Sequence, residues 1–140
     1  VLVRKAFPSD FEKIRQFYAD RLPGYVVSPN DSIYIALVGD SICGVVRLVE
    51  EQGLLLLRGM QVSPLHQKVG NGTKLLEILD REIGARECFC IPYAYLEKFY
   101  GKIGFRRTDE DKAPQLLRKR LQKYRLESDS VIMVRPAKTY

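Results

Sequence analysis

Residues 61–76 read QVSPLHQKVGNGTKLL. A strand-like run, 54–62, feeds this stretch, and an apolar helical run leaves it. Between them stand Gly70 and Gly72, one residue apart, at the entrance to the helix. Glycine costs a helix interior about 1 kcal/mol relative to alanine, so two of them at a first turn need a reason. Glycines let a backbone approach a ligand closely and turn its N–H groups inward. A helix opening near Thr73 adds unpaired N–H donors and the positive end of its dipole. Together these make a seat for a phosphate or pyrophosphate. An Asn-Gly turn that happens to precede a helix is the plain alternative. Other phosphate loops fit badly. Leu75 stands where a dinucleotide-binding GxGxxG needs glycine, and Gly72 is followed by Thr73-Lys74 rather than by Lys-Ser/Thr.

The chain around this stretch has 140 residues, 46% of them hydrophobic and 29% charged. That is one soluble globular domain, 1–140, with enough apolar material for a core. The longest apolar run, Leu54 to Leu57, is strand-sized and far short of the roughly 20 residues a membrane span needs. No signal-peptide pattern follows Val1, and the three cysteines form no CxxC pair. Cys88 and Cys90 share one face of a strand, and i,i+2 geometry does not suit a disulfide. Reduced core cysteines in a cytoplasmic protein are the expectation. A metal site built from them and His66 has poor spacing and too few ligands, so no metal is expected.

The same run of alternations and periods continues in both directions. A strand is expected at 1–5, then a helix opened by Pro8-Ser9-Asp10 with Phe11, Ile14, Phe17 and Tyr18 on one face. Strands at 33–38, 41–50 and 54–62, joined by tight turns, form an antiparallel meander. Leu75, Leu76, Leu79 and Ile83 share a helical face that stops at Gly84. A buried strand at 88–91 follows, then a helix with Leu96, Phe99, Tyr100 and Ile103 as its stripe. A basic helix after Pro114 and a strand at 130–135 complete an α/β (α+β) domain.

With these elements in place, Val62-x-Pro64-x-x-Gln67-x-x-Gly70-x-Gly72 resembles the Gln/Arg-x-x-Gly-x-Gly/Ala loop of the GCN5-related N-acetyltransferases, the GNAT family. About 30 residues on, Phe99-Tyr100-Gly101-Lys102-Ile103-Gly104-Phe105 is similar to that family's second signature, a helix ending Tyr-x-x-x-Gly-Phe. The pair, in this order and after a three-strand meander, is a specific match covering about residues 54–109. The resemblance implies a mixed, mostly antiparallel sheet flanked by helices, and acetyl-CoA as co-substrate. It implies that backbone amides over 68–73 (Lys68, Val69, Gly70, Asn71, Gly72 and Thr73), just after Gln67, hold the pyrophosphate. It also implies that the main chain of Met60, Gln61 and Val62 pairs with the pantetheine arm beside the thioester. Gly59 then suits a bulge that splays this strand from its neighbour.

Tyr100 is the catalytic candidate. A phenol of pKa about 10 keeps its proton at pH 7 and can give it to a leaving thiolate, and the resemblance implies that role. Packing within the apolar stripe is the alternative. Two departures stand out: Tyr93 occupies a position that is often Asn in the family, and the strand at 54–62 carries no acid to act as base. Glu50 and Glu51 lie at the preceding turn and read as surface charges, and His66 reads as an exposed loop histidine.

Residues 101–125 hold nine Lys/Arg and three acids, which is the whole net charge of +6. A solvated helix face, steering of anions toward an acceptor mouth, and nucleic-acid contact are the three readings. The last is disfavoured because no aromatic-basic platform accompanies the patch. The expected activity is acetyl-CoA-dependent N-acetylation of a primary amine on a small molecule, an amino acid or polyamine. The alternatives are a protein lysine or N-terminal acetyltransferase and a non-catalytic CoA-binding regulatory module. The expected partner is thus a small-molecule amine acceptor, not a membrane, and a homodimer stays open.

Overall fold

Ile33, Ile35 and Leu37 alternate with Tyr34 and Ala36 along β2 (Ser32–Val38), and all five are buried. A strand covered on both faces needs a layer on each side, and two helices supply them. From α1 (Phe11–Arg21), Ile14, Phe17 and Tyr18 pack with Ile33, Ile35 and Leu37 and with Val45 of β3 (Ser41–Glu51). On the other face Ala36 and Gly44 are paired across β2 and β3. A Cβ at Gly44 would stand 3.1 Å from Leu75 Cδ1, so the missing side chain lets α2 (Asn71–Ile83) lie close to the sheet.

The structure, a computed structural model, describes residues 1–64 and 70–139. The strand order is β1-β2-β3-β4-β5-β7-β6, with β1 (Leu2–Lys5), β4 (Leu54–Val62), β5 (Cys88–Cys90), β6 (Arg106–Arg107) and β7 (Met133–Arg135). The β1–β2, β2–β3, β5–β7 and β6–β7 pairs are antiparallel and β4–β5 is parallel. This is the mixed, mostly antiparallel α/β arrangement expected. The chain forms two compact units, Val1–Val49 with Leu57–Arg81, and Glu50–Leu56 with Glu82–Tyr140.

In the second unit Leu56 pairs with Phe89, and these two pack with Leu117 and Leu121 of α4 (Gln115–Tyr124), Ala113 and Ile132. Arg135 is 1% exposed. Its Nε donates to the carbonyl of Ile103 at 2.8 Å and its Nη1 to that of Gly84 at 2.9 Å. It thus ties the segment after α2 to the end of α3 (Glu97–Gly101). All three cysteines are free and buried. Among the described residues, no helix is long and apolar enough to cross a membrane.

Three local expectations change. The final strand narrows from 130–135 to Met133–Arg135, because Pro92 stands opposite and has no N–H to give a ladder. What survives there is a bridge between Tyr93 and Ser130 and the bond from Val131 N to Pro92 O at 3.0 Å. β6 has no apolar signature, being two exposed arginines hydrogen-bonded to β7. Finally, α2 begins at Asn71 rather than near Thr73, which puts Gly72 inside its first turn.

Candidate functional site

The two glycines do different things. Gly70 has φ +82, a left-handed conformation that a side chain disfavours, and among the described residues no heavy atom beyond its chain neighbours lies within 4 Å of where its Cβ would be. Gly72 lies in the first turn of α2. Lys74 N donates to Gly70 O at 3.0 Å, so the N–H groups of residues 71–73 precede the intrahelical ladder. No acid occupies this turn to compete for an anion.

β3 holds both ends of the connection into α2. Cys43 O accepts from Ser63 N at 2.8 Å, and the buried Asn71 side chain places Nδ2 3.9 Å from Cys43 Sγ. Gly70, Asn71, Gly72 and Thr73 are therefore gathered at one helix start. Gln67, Lys68 and Val69, together with His66, lie outside the described residues.

Upstream, Gly59 lies within β4 with φ +65, a left-handed conformation inside the strand. A Cβ at Gly59 would fall 2.5 Å from Tyr25 Oη and 2.7 Å from Tyr18 Oη, so no side chain fits. Tyr18 donates its hydroxyl hydrogen to Gly59 O at 2.7 Å. The Tyr18 and Tyr25 rings lie 4.7 Å apart, and Tyr25 Oη accepts from Arg47 Nη2. Arg47, only 4% exposed, also donates from Nη1 to Asp31 Oδ2 at 2.5 Å. Met60, Gln61 and Val62 follow directly and are half-buried. Sequence reasoning missed Arg47 and saw Tyr18 only as core. The available signal was an arginine inside the apolar run 44–49.

Tyr100 lies on α3 in the second unit, whereas the described residues expected to hold the cofactor belong to the first. It is 4% exposed, and its ring meets Phe99 at 5.1 Å and Phe105 at 6.1 Å, both edge-on. Among the described residues its hydroxyl has no hydrogen-bond partner, although a buried tyrosine usually finds one. Burial, with Cys90 and Tyr95 nearby, pushes the phenol well above its ordinary range, so it keeps its proton. Tyr93 is half exposed and stacks on Tyr95 at 5.6 Å. Glu50 is a surface group as read, 3.9 Å from Arg86, whereas Glu51 is partly buried against Arg120 at 2.6 Å rather than the surface charge expected. An open depression of about 450 Å³ along residues 107–112 contains none of the expected site residues.

The acetyltransferase (GNAT) domain family matches residues 6–124. No curated protein matches the chain significantly. A GNAT-family acetyltransferase from Streptococcus pneumoniae is 18% identical, with TM-score 0.71 over 98% of this chain and 99% of that one. N-acetylglutamate synthase from Neisseria gonorrhoeae, complexed with coenzyme A and N-acetyl-glutamate, is 20% identical, with TM-score 0.67. This chain, 99% covered, spans 36% of that synthase. An aminoglycoside 6'-N-acetyltransferase complexed with coenzyme A is 13% identical, with TM-score 0.70 over 100% of this chain and 99% of that one. At these identities the structural likenesses show the fold, and the family match covers most of the chain. The chain belongs to the GNAT family of acetyltransferases.

Proposed function

We propose that the chain, as a single domain over residues 1–140, transfers an acetyl group from acetyl-CoA to a primary amine of a small molecule, an amino acid or polyamine, by direct attack. The observation that carries this reading is the left-handed backbone at Gly70, leading into an α2 whose first turn is free of acids. N–H groups at such a helix start favour an anion by geometry and by dipole. Bound acetyl-CoA supplies an activated thioester. The main chain of Met60, Gln61 and Val62 would pair with its pantetheine arm, and the backbone amides of residues 68–73 would hold its pyrophosphate.

Tyr100 holds a proton on a hydroxyl without a partner among the described residues, and a leaving thiolate needs such a donor. No carboxylate on β4 offers itself as base, so water or an amine that arrives neutral takes that part. The small-molecule acceptor is favoured by the family's neighbours, one complexed with an N-acetylated amino acid and another acting on aminoglycosides. Calorimetric titration with CoA, followed by free-thiol release across an amine panel, tests the proposal. Thiol release only with a protein or peptide acceptor would move the assignment to protein acetylation. CoA binding without turnover on any amine would leave a binding module.

A further inference from the structure

We infer that Tyr18 is a positioning residue for acetyl transfer, fixing the direction of the Met60 N–H by holding the carbonyl of Gly59. This inference rests on the acetyl-transfer reading above, which sets the thioester beside residues 60–62. A trans peptide is planar, with its C=O and N–H pointing in opposite directions. The carbonyl of Gly59 and the N–H of Met60 belong to the same peptide. Tyr18 Oη holds that carbonyl at 2.7 Å from one side, so the Met60 N–H is aimed away from Tyr18.

The hold is needed because β4 is irregular here. At φ +65 the Gly59 backbone leaves the strand conformation, and glycine is the residue with the most freedom to turn. The donor, by contrast, is fixed. Tyr18 is fully buried in α1, its ring lies against Tyr25, and Tyr25 is tied through Arg47 to Asp31. Two hydroxyls occupy the space that any Cβ at residue 59 would need. The left-handed glycine and its clamp therefore require each other. A preorganised amide aimed at a carbonyl on which negative charge develops can speed acyl transfer, and a misaligned one cannot.

The protein has two methionines, Met60 and Met133. The full chain labelled with ¹⁵N-methionine thus gives two backbone amide signals, assigned with Met133→Leu. Adding CoA and then acetyl-CoA should move the Met60 signal further with the acetylated form in the wild type. In Tyr18→Phe the acetyl-specific part of that movement should disappear. In the same variant kcat should fall about tenfold, with KM for acetyl-CoA and Kd for CoA within twofold of wild type. Tyr25→Phe, which keeps the Tyr18 hydroxyl, should lower Tm but retain the acetyl-specific shift. A Tyr18→Phe protein with wild-type kcat and a wild-type Met60 response overturns the inference. So does a wild type whose Met60 signal cannot tell acetyl-CoA from CoA, which keeps the test decisive even if Tyr18→Phe does not fold. A wild type that binds neither compound overturns the acetyl-transfer reading itself.

Discussion

Arg120 on α4 donates from Nη2 to Glu51 Oε2, at the end of β3, over 2.6 Å. Their side chains are only 20% and 25% exposed, so water screens this pair less than it would a fully exposed one. Arg107 with Glu97, Arg125 with Glu110, and Lys112 with Asp109 are paired as well. Asp109 and Glu110 already count within 101–125, whereas Glu51 and Glu97 lie outside it, so these two pairs take the local excess from +6 to 6 − 2 = +4.

Arg118 and Arg120 are accordingly expected to behave differently. Arg120→Glu sets two carboxylates against each other and should lower Tm by about 3–5 °C, the effect of roughly 1 kcal/mol in a domain of this size. Arg118 is exposed and unpaired among the described residues, and Arg118→Glu should leave Tm within about 1 °C. Thermal melts of the two variants decide this. Equal losses would mean that the Glu51 pair has no special weight.

Gly72→Asp should separate cofactor binding from folding. An acid in the first turn of a helix interacts favourably with the dipole, so the free variant should melt no lower than wild type. The same charge lies where the phosphates are expected, so CoA affinity should fall at least about 100-fold. Calorimetric titration reads the binding, and an unchanged Kd would remove α2 from the cofactor site.

Tyr100→Phe keeps the ring against Phe99 and Phe105 and removes only the proton donor. Loss of a general acid lowers rates by about 10²–10⁴-fold. Because burial raises the phenol's pKa, the wild type should lose no activity through Tyr100 ionisation below about pH 10, and the deficit of the variant should be the same across that range. The measurement is kcat against pH. A variant with wild-type kcat where chemistry limits the rate would leave Tyr100 as a core residue.

Asp10 gives the fold an acid-sensitive point. Arg4 holds its carboxylate with two hydrogen bonds, at 2.8 and 3.2 Å, and Phe7 N donates at 2.7 Å. The Arg4 hydrogen bond lowers the Asp10 pKa despite opposition from burial, and the Phe7 N–H lowers it further. A carboxylate whose folded pKa lies below its unfolded value stabilises the protein above that unfolded value, about 3.9. The contribution is lost as pH falls through the folded value. Asp10→Asn should therefore lower Tm by about 2–5 °C at pH 7 and narrow the gap to wild type below about pH 3. Melts between those pH values test it, and a gap independent of pH would show that the ionised carboxylate is not what stabilises.

The elements with regular periods were set by the chain's own order of residues. The alternation over 33–37 made β2, the apolar positions of α2 recurred every three or four residues, and Gly70-Asn71-Gly72 marked the helix start to within two residues. Such signals depend on neighbours a few positions apart, which is why Tyr100 could be read on its helix and Gly59 suspected as a bulge. Tertiary structure alone decided the rest. Arg47 looks like an outward-facing strand charge until the loop carrying Asp31 and Tyr25 closes over it. The two arginines of β6 become a strand only because β7 offers them carbonyls and N–H groups. Tyr18 is a core aromatic by periodicity, and its hydrogen bond reaches a glycine 41 residues away. Periodicity reports which side of an element faces the core. Which buried polar atom meets which depends on how distant elements pack, and the cost of leaving one unpaired then fixes the choice.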